Sequence, residues 1–453
     1  MKKIPPVAVS ATDPALSGTN RLAMPSDESH RDEPSALRVL SAAPHRALFF
    51  LGAVQLLLVM AVWLVGLGAR FGGVGPTWQW SLPAWQAHAF LMIYGVFPFF
   101  IFGFLFTVYP RWMSGPPLPT GRYMAVAVLL AVGWLMFYAG LLTSRTLMVI
   151  AVPVILVGWL AAFASLWRVY RKAETRGPHE RLLNLALLFG ILGVALFGYG
   201  LVTDTVASYS LTPATEAVQV VVIGEPYLLA REIGLWLFLL PVVFLVSHRM
   251  IPFFSHSALV NYRMVRPAWG PPFMLLFSAG HALLDLAGLP EWRFLADLPL
   301  AAVALQHSYV WQFRRSFHAR LLAMLHIAFL WLGIGMALYS VQSLLLLATG
   351  TDFLGRAPLH ALGIGFFAGM IVAMASRVTL GHSGRSLIAD RLTWAVLLGV
   401  NVTALVRVAA ELFPVYSAVL NIAAALAWLI VFTPWVFHYA PMYLRPRVDH
   451  KPG

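Results

Sequence analysis

The sequence predicts an all-α integral membrane protein, a bundle of about twelve transmembrane helices. The first observation is composition: the 453-residue chain is 60% hydrophobic and only 11% charged, which suits a bilayer better than a soluble domain. The second is a series of twelve long apolar segments, at 46–68, 84–110, 122–143, 147–170, 181–203, 228–250, 268–288, 297–313, 319–348, 358–376, 392–410 and 416–440. Their lengths lie around the roughly 20 residues a helix needs to cross the hydrocarbon core. The third is charge asymmetry. With both tails grouped with the even-numbered connections, 25 of the 31 Lys and Arg residues fall on one side. Only Arg70, Arg145, Arg231, Arg293, Arg356 and Arg407 fall on the other. The positive-inside rule makes the basic side cytoplasmic, which places both termini in the cytoplasm.

The elements follow in order. Residues 1–40 are polar and rich in Pro, Ser, Asp and Glu, and are expected to form a disordered cytoplasmic tail. No apolar h-region lies near Met1, so no cleavable signal peptide is expected. Residues 41–442 form the membrane domain and 443–453 a short cytoplasmic tail. The connections are short, so neighbouring helices should run antiparallel. The longest outer connection, 204–227, is acidic and holds Pro213 and Pro226, which suits a lid or a short surface helix. Trp78, Trp80 and Trp85 at one end, and Trp112, Trp269 and Trp311 at the other, read as interfacial anchors. Pro98, Pro153 and Pro241 suggest kinks. In the tenth segment Ala361, Gly365, Gly369 and Ala373 recur every four residues, a spacing for close helix approach. No internal sequence repeat is evident, so a repeat-built transporter gets no direct support.

The net charge of +13 is accounted for by cytoplasmic loops and anionic lipid, with no nucleic-acid partner needed. The chain has no cysteine. That excludes covalently attached c-type haem, iron–sulfur clusters and thiolate ligation. Any haem or metal must be held by His, Met, Tyr or carboxylate.

Six histidines lie in or at the rim of apolar segments: His88, His248, His281, His307, His326 and His360. Their depths follow from the helical rise. His360 precedes Arg377 by 17 residues, or about 26 Å. With His88 and His281 it belongs to an outer layer. His307 and His326 lie about 10 Å from the cytoplasmic rim, and His248 sits lower still, as an ordinary interfacial residue. Neutral imidazole ligates haem iron and copper well. A lone intramembrane His also commonly bonds a carbonyl or hydroxyl on a neighbouring helix, so ligation rests on histidines sharing a layer.

The tenth segment and its exit read LHALGIGFFAGMIVAMASRVTLGHSGR, residues 359–385. This resembles the NnrS signature, a His-Ala helix followed by R-[VA]-T-L-G-H-[ST]-G-R. LHIAFLWLG at 325–333, RMIPFF at 249–254 and PHRALFF at 44–50 are similar to further family stretches. His326, His360, Arg377 and His382 match the pattern position by position. The family's W-H-A-H-E is here Trp85-Gln86-Ala87-His88-Ala89, which removes two metal ligands or proton carriers. The family's Gly before R-x-I-P-F-F is His248 here. The resemblance implies a haem- and copper-containing inner-membrane protein linked to nitric oxide and nitrosative stress. A weaker fold-level analogy runs to haem-copper oxidases, which take haem ligands from helices two and ten.

On this reading His88 and His360 are axial ligands of a non-covalent b-type haem suited to electron transfer. His281 completes a neighbouring metal site, and His326 with His307 a second, inner one. The cofactor set is therefore His88, His360, His326 and Arg377, and the metal set His281, His307 and His326. Arg377 either pairs with a haem propionate or anchors the inner rim. The Gly363/Gly365 region either admits a flat macrocycle or packs against a helix. A five-coordinate haem would instead leave a position for nitric oxide. The competing class is a cofactor-free transporter or channel with histidines as proton relays. A sensor is disfavoured because no soluble signalling domain is present.

Overall fold

Wherever the sequence holds an apolar segment, the chain forms a helix. The computed structural model describes residues 35–72, 80–203 and 225–449. The helices are α1 (Pro44–Phe71), α2 (Ala84–Trp112), α3 (Thr120–Thr143), α4 (Arg145–Lys172), α5 (Pro178–Thr203) and α6 (Pro226–Ala258). Then come α7 (Gly270–Leu286) and α8 (Phe294–Val310), followed by α9 (Arg320–Thr349), α10 (Ala357–His382), α11 (Arg391–Leu412) and α12 (Pro414–Leu444). Ten of them are long and apolar enough to cross a bilayer. The other two, α7 and α8, have 17 residues each, about 25 Å of helix. That sits at the short limit for a span. The chain is a multi-pass membrane protein, and among the described residues there is no strand.

The expected tail ends sooner than 40, because Ala36–Leu40 is a short helix with Val39 buried. The rest of that tail, residues 1–34, lies outside the described residues, as does 204–224 of the expected lid. Residues from Ala36 onward form one unit. Within it α3 packs chiefly on α4 and α1, and α12 closes back on α1. Trp428 of α12 donates its indole N–H to the Leu56 carbonyl of α1 at 3.0 Å.

A π-helical turn interrupts α2 at Leu91–Val96, α6 at Ile233–Leu239 and α10 at Ala361–Ala368. In α2 and α6 the cause is written in the sequence. Pro98 and Pro241 follow directly; each lacks the N–H that would close the preceding α-turn, and the wider turn absorbs the mismatch. Pro153 lies inside α4. The three interrupted helices are spaced four apart in the chain. With Phe49 of α1 they line a wholly apolar crevice, with Phe97, Phe100, Val242, Val246, Phe367 and Met370 on its walls.

Close approach depends on two glycines where α2, α5 and α6 meet. A Cβ at Gly193 or Gly234 would overlap the Tyr94 hydroxyl, which donates to the Ala230 carbonyl at 2.6 Å. Trp311, expected at the interface, is fully buried. Its N–H donates to the Val265 carbonyl at 3.1 Å, so it fastens a loop instead of anchoring to lipid.

Asp390 caps the N-terminus of α11, accepting the Thr393 N–H at 2.7 Å. Partial burial works against its ionised form, but the bonds from Thr393 and the nearby His438 prevail and hold the carboxyl below its usual range. A depressed folded-state value stabilises above the unfolded value near pH 4 and is lost as pH falls through the folded one. Asp390→Ala should therefore cost about 1 kcal/mol at neutral pH. In thermal melts of detergent-solubilised protein, the gap to wild type should close as pH drops below about 4.

Candidate functional site

At the end opposite most of the basic residues, α2, α5, α6, α7, α9 and α10 surround a cavity of about 880 Å³. Aromatic rings and charged groups share its wall. Glu232 is 3% exposed and takes the Arg231 Nε–H on Oε1 at 2.7 Å; its Oε2 is buried without a partner. Gln86, also 3% exposed, has neither amide atom satisfied. It stands where the NnrS pattern has its first histidine, and it lines the cavity. Arg293 braces the far wall, donating to Asp285 at 2.9 Å and to the Gln342 carbonyl oxygen at 3.3 Å. Gln342 in turn donates to Asp352 at 2.9 Å.

His88 and His360 sit beside this cavity, one step along α2 and α10 from its lining residues Ala89 and Leu359. His360 lies in the fields of Arg407, His88 and Arg356. His88 lies in those of Arg407 and Arg356. The two histidines that the sequence singles out on helices two and ten thus each adjoin, along the chain, a residue lining the same cavity. His360 donates its Nδ1–H to the Arg356 carbonyl at 2.9 Å, which leaves Nε2 as the lone-pair nitrogen, the usual arrangement for a ligating imidazole. The His88 ring stacks on Trp63 of α1, centroids 4.2 Å apart and 20° from parallel. Its Nδ1 is buried and unpartnered. Arg407 pairs with Glu411 at 2.6 Å through Nη2, while its Nη1 is buried with no acceptor. For Arg356, just outside α10, desolvation pulls the guanidinium below its usual range. Glu411 opposes that shift, and Arg231, Arg407 and Arg70 add to it.

The glycines of α10 separate the two readings of that helix. Gly365 faces the Trp331 ring so closely that any side chain would collide, and Gly369 meets Ala328 of α9, with 3.2 Å left for a Cβ. Both serve helix packing. Gly363 has nothing within 4 Å of where its Cβ would be.

The remaining candidates are placed differently. His281 lies behind the cavity wall, its ring 3.6 Å from Trp236 and 4.9 Å from Tyr339. Its Nδ1 meets Asp297 Oδ1 at 2.5 Å, and both side chains are essentially inaccessible. The structure does not unite His307 with His326. His326 bonds Ser255 Oγ at 3.1 Å. His307 instead neighbours His248 at 5.5 Å, and His248 neighbours His179 at 5.3 Å. That group at the basic end includes His179, which sequence reasoning missed, and makes His248 a buried core residue where an interfacial one was expected. Each of the three rings engages a backbone carbonyl: His179 that of Leu245, His248 that of Pro267 and His307 that of Val303. Arg377 lies 4.0 Å over the Phe254 ring and reaches Ser257 Oγ at 3.5 Å. Those contacts belong to packing at the basic end, remote from His360.

Comparison with known proteins bears directly on this assembly. A family model described as NnrS protein matches residues 39–447. The chain belongs to the NnrS family. It is accordingly a membrane protein of the nitric oxide response. A search of curated proteins returned no match. The NnrS match takes in α1 to α12 and every histidine discussed above.

Proposed function

We propose that this NnrS-family chain holds one non-covalent b-type haem at its outer end and uses it in nitric oxide chemistry at the bacterial inner membrane, with both termini cytoplasmic. The observation that carries the reading is a pair of histidines next in sequence to residues lining one cavity: His88 of α2, with a buried unpartnered Nδ1, and His360 of α10, with Nε2 left as the lone-pair nitrogen. The donor set suits a haem: two imidazoles, one with its tautomer set by the Arg356 carbonyl, and two arginines, Arg356 and Arg407, for propionates. The unpartnered Arg407 Nη1 is a donor waiting for such an oxyanion. When bound, haem supplies one-electron chemistry or an iron position for nitric oxide.

Copper fits less well. Among the described residues no group of three His, Asp or Glu side chains is disposed to hold a metal ion. Gln86 and Ala89 also stand where the family pattern has a His and a Glu.

The test is haem stoichiometry in purified protein made with ample haem. Wild type should carry about one haem per chain. His88→Ala and His360→Ala should each lose most of it while keeping the wild-type elution profile. Full retention in both variants would remove these residues from the site.

A further inference from the structure

Two stretches that carry the family resemblance, one at the start of α1 and one at the end of α10, meet at the basic end. His45 and His382 lie ring against ring, centroids 4.5 Å apart and tilted by 43°. His45 is 3% exposed. Around the pair lie Arg46 of α1, Arg111 of α2 and Arg447 after α12, and Arg385, after α10, lies near Arg46. Arg46, Arg111 and Arg447 act electrostatically on both imidazoles, and Arg447 and Arg385 act on Arg46.

These arginines are not equally engaged. Arg46 donates to the carbonyls of Tyr443 at 3.3 Å and Arg445 at 2.8 Å, at the C-terminal end of α12. Arg447 donates to the His382 carbonyl at 3.2 Å and to Asp449 at 2.8 and 2.6 Å. Those two hold helix ends. Arg385, by contrast, has a buried Nη1 with no partner, and Arg111 is exposed. The carboxylate paired within the cluster is Asp449.

Four guanidinium groups against one carboxylate repel a cation, so the two imidazoles are poorly placed to share a metal ion. The same field suits an anion with several oxygens. Charge-assisted bonds from arginine are strong, and basic pockets between helices at a cytoplasmic face bind phosphorylated headgroups. We propose that this pocket binds a phosphate group, either inorganic phosphate or the headgroup of an anionic lipid. Arg111, Arg385, His45 and His382 contact the phosphate oxygens, and Arg46 and Arg447 fix the helix ends around it. The inference stands independently of the haem reading.

The experiment has two arms, each run beside an Arg111→Gln/Arg385→Gln double variant. That variant leaves the Arg46 and Arg447 contacts in place, and its thermal midpoint should match wild type. In one arm, delipidated protein in phosphate-free detergent is titrated calorimetrically with inorganic phosphate. In the other, protein from cardiolipin-containing nanodiscs is scored by native mass spectrometry for retained lipid. The proposal expects wild type to bind in at least one arm and the double variant to bind at least tenfold more weakly there. Phosphate binding would identify the free ion, and lipid retention the headgroup. No binding in either arm, or equal binding by the variant, would overturn it. So would a copper or zinc ion held by the histidine pair.

Discussion

Gly363→Leu is expected to empty the haem site and leave the fold intact. Gly363 is half-buried, and a Cβ there would touch nothing within 4 Å. A leucine therefore costs little in packing but, on the haem reading, would crowd a macrocycle held at His360, three residues earlier in the same helix. Gly365→Leu should do the reverse. Its side chain would drive into Trp331, whose indole N–H donates to Asn401 at 2.6 Å, and overpacking a tight contact costs about 1–3 kcal/mol or more. The pair is read out by haem per chain and thermal midpoint in detergent. Gly363→Leu should lose haem at a near-wild-type apoprotein midpoint, and Gly365→Leu should lower the midpoint by several degrees. A Gly363→Leu protein with full haem would mean the open space belongs to lipid.

The second large effect lies at the basic end. Glu180 of α5 and Arg249 of α6 form a close, largely buried ion pair. Arg249 also lies 4.5 Å over the Trp112 ring, and Glu180 takes the Gly177 N–H at 3.1 Å. Arg249→Ala strands a carboxylate that is 4% exposed, and breaking a buried pair from one side costs about 3–5 kcal/mol. The double variant Glu180→Ala/Arg249→Ala removes the stranded charge and should recover a good part of that loss. Arg249→Lys should fall between, because an ammonium cannot reproduce the planar stack on Trp112. Equal midpoints for the single and double variants would show that the pair is not coupled.

Depth was legible in the sequence, and direction was not. Twelve apolar runs gave twelve helices, and counting residues from charged rims placed His88, His281 and His360 at one end. The rise per residue fixes height along a helix. It leaves open which neighbour a side chain faces. His307 and His326 have similar depths on consecutive helices, yet one faces His248 and the other Ser255. His45 and His382 were each visible in a motif, but their contact depends on how α1, α10 and α12 close on one another. The same limit held for Trp311, whose end-of-segment position suggested lipid although its ring turns inward. Proline chemistry was more direct, since Pro98 and Pro241 mark the places where α2 and α6 widen into π-turns.

The central claim is tested most directly by the optical spectrum of purified wild-type protein, made with ample haem and recorded oxidised, dithionite-reduced, and reduced with nitric oxide. A bis-histidine haem between α2 and α10 predicts a Soret band and a sharp reduced α-band, lost in His360→Ala. A spectrum moved by nitric oxide would show that it gains an iron position, either open or vacated by an imidazole, and an unmoved one that both imidazoles stay bound. Absence of any Soret band would contradict the haem assignment outright.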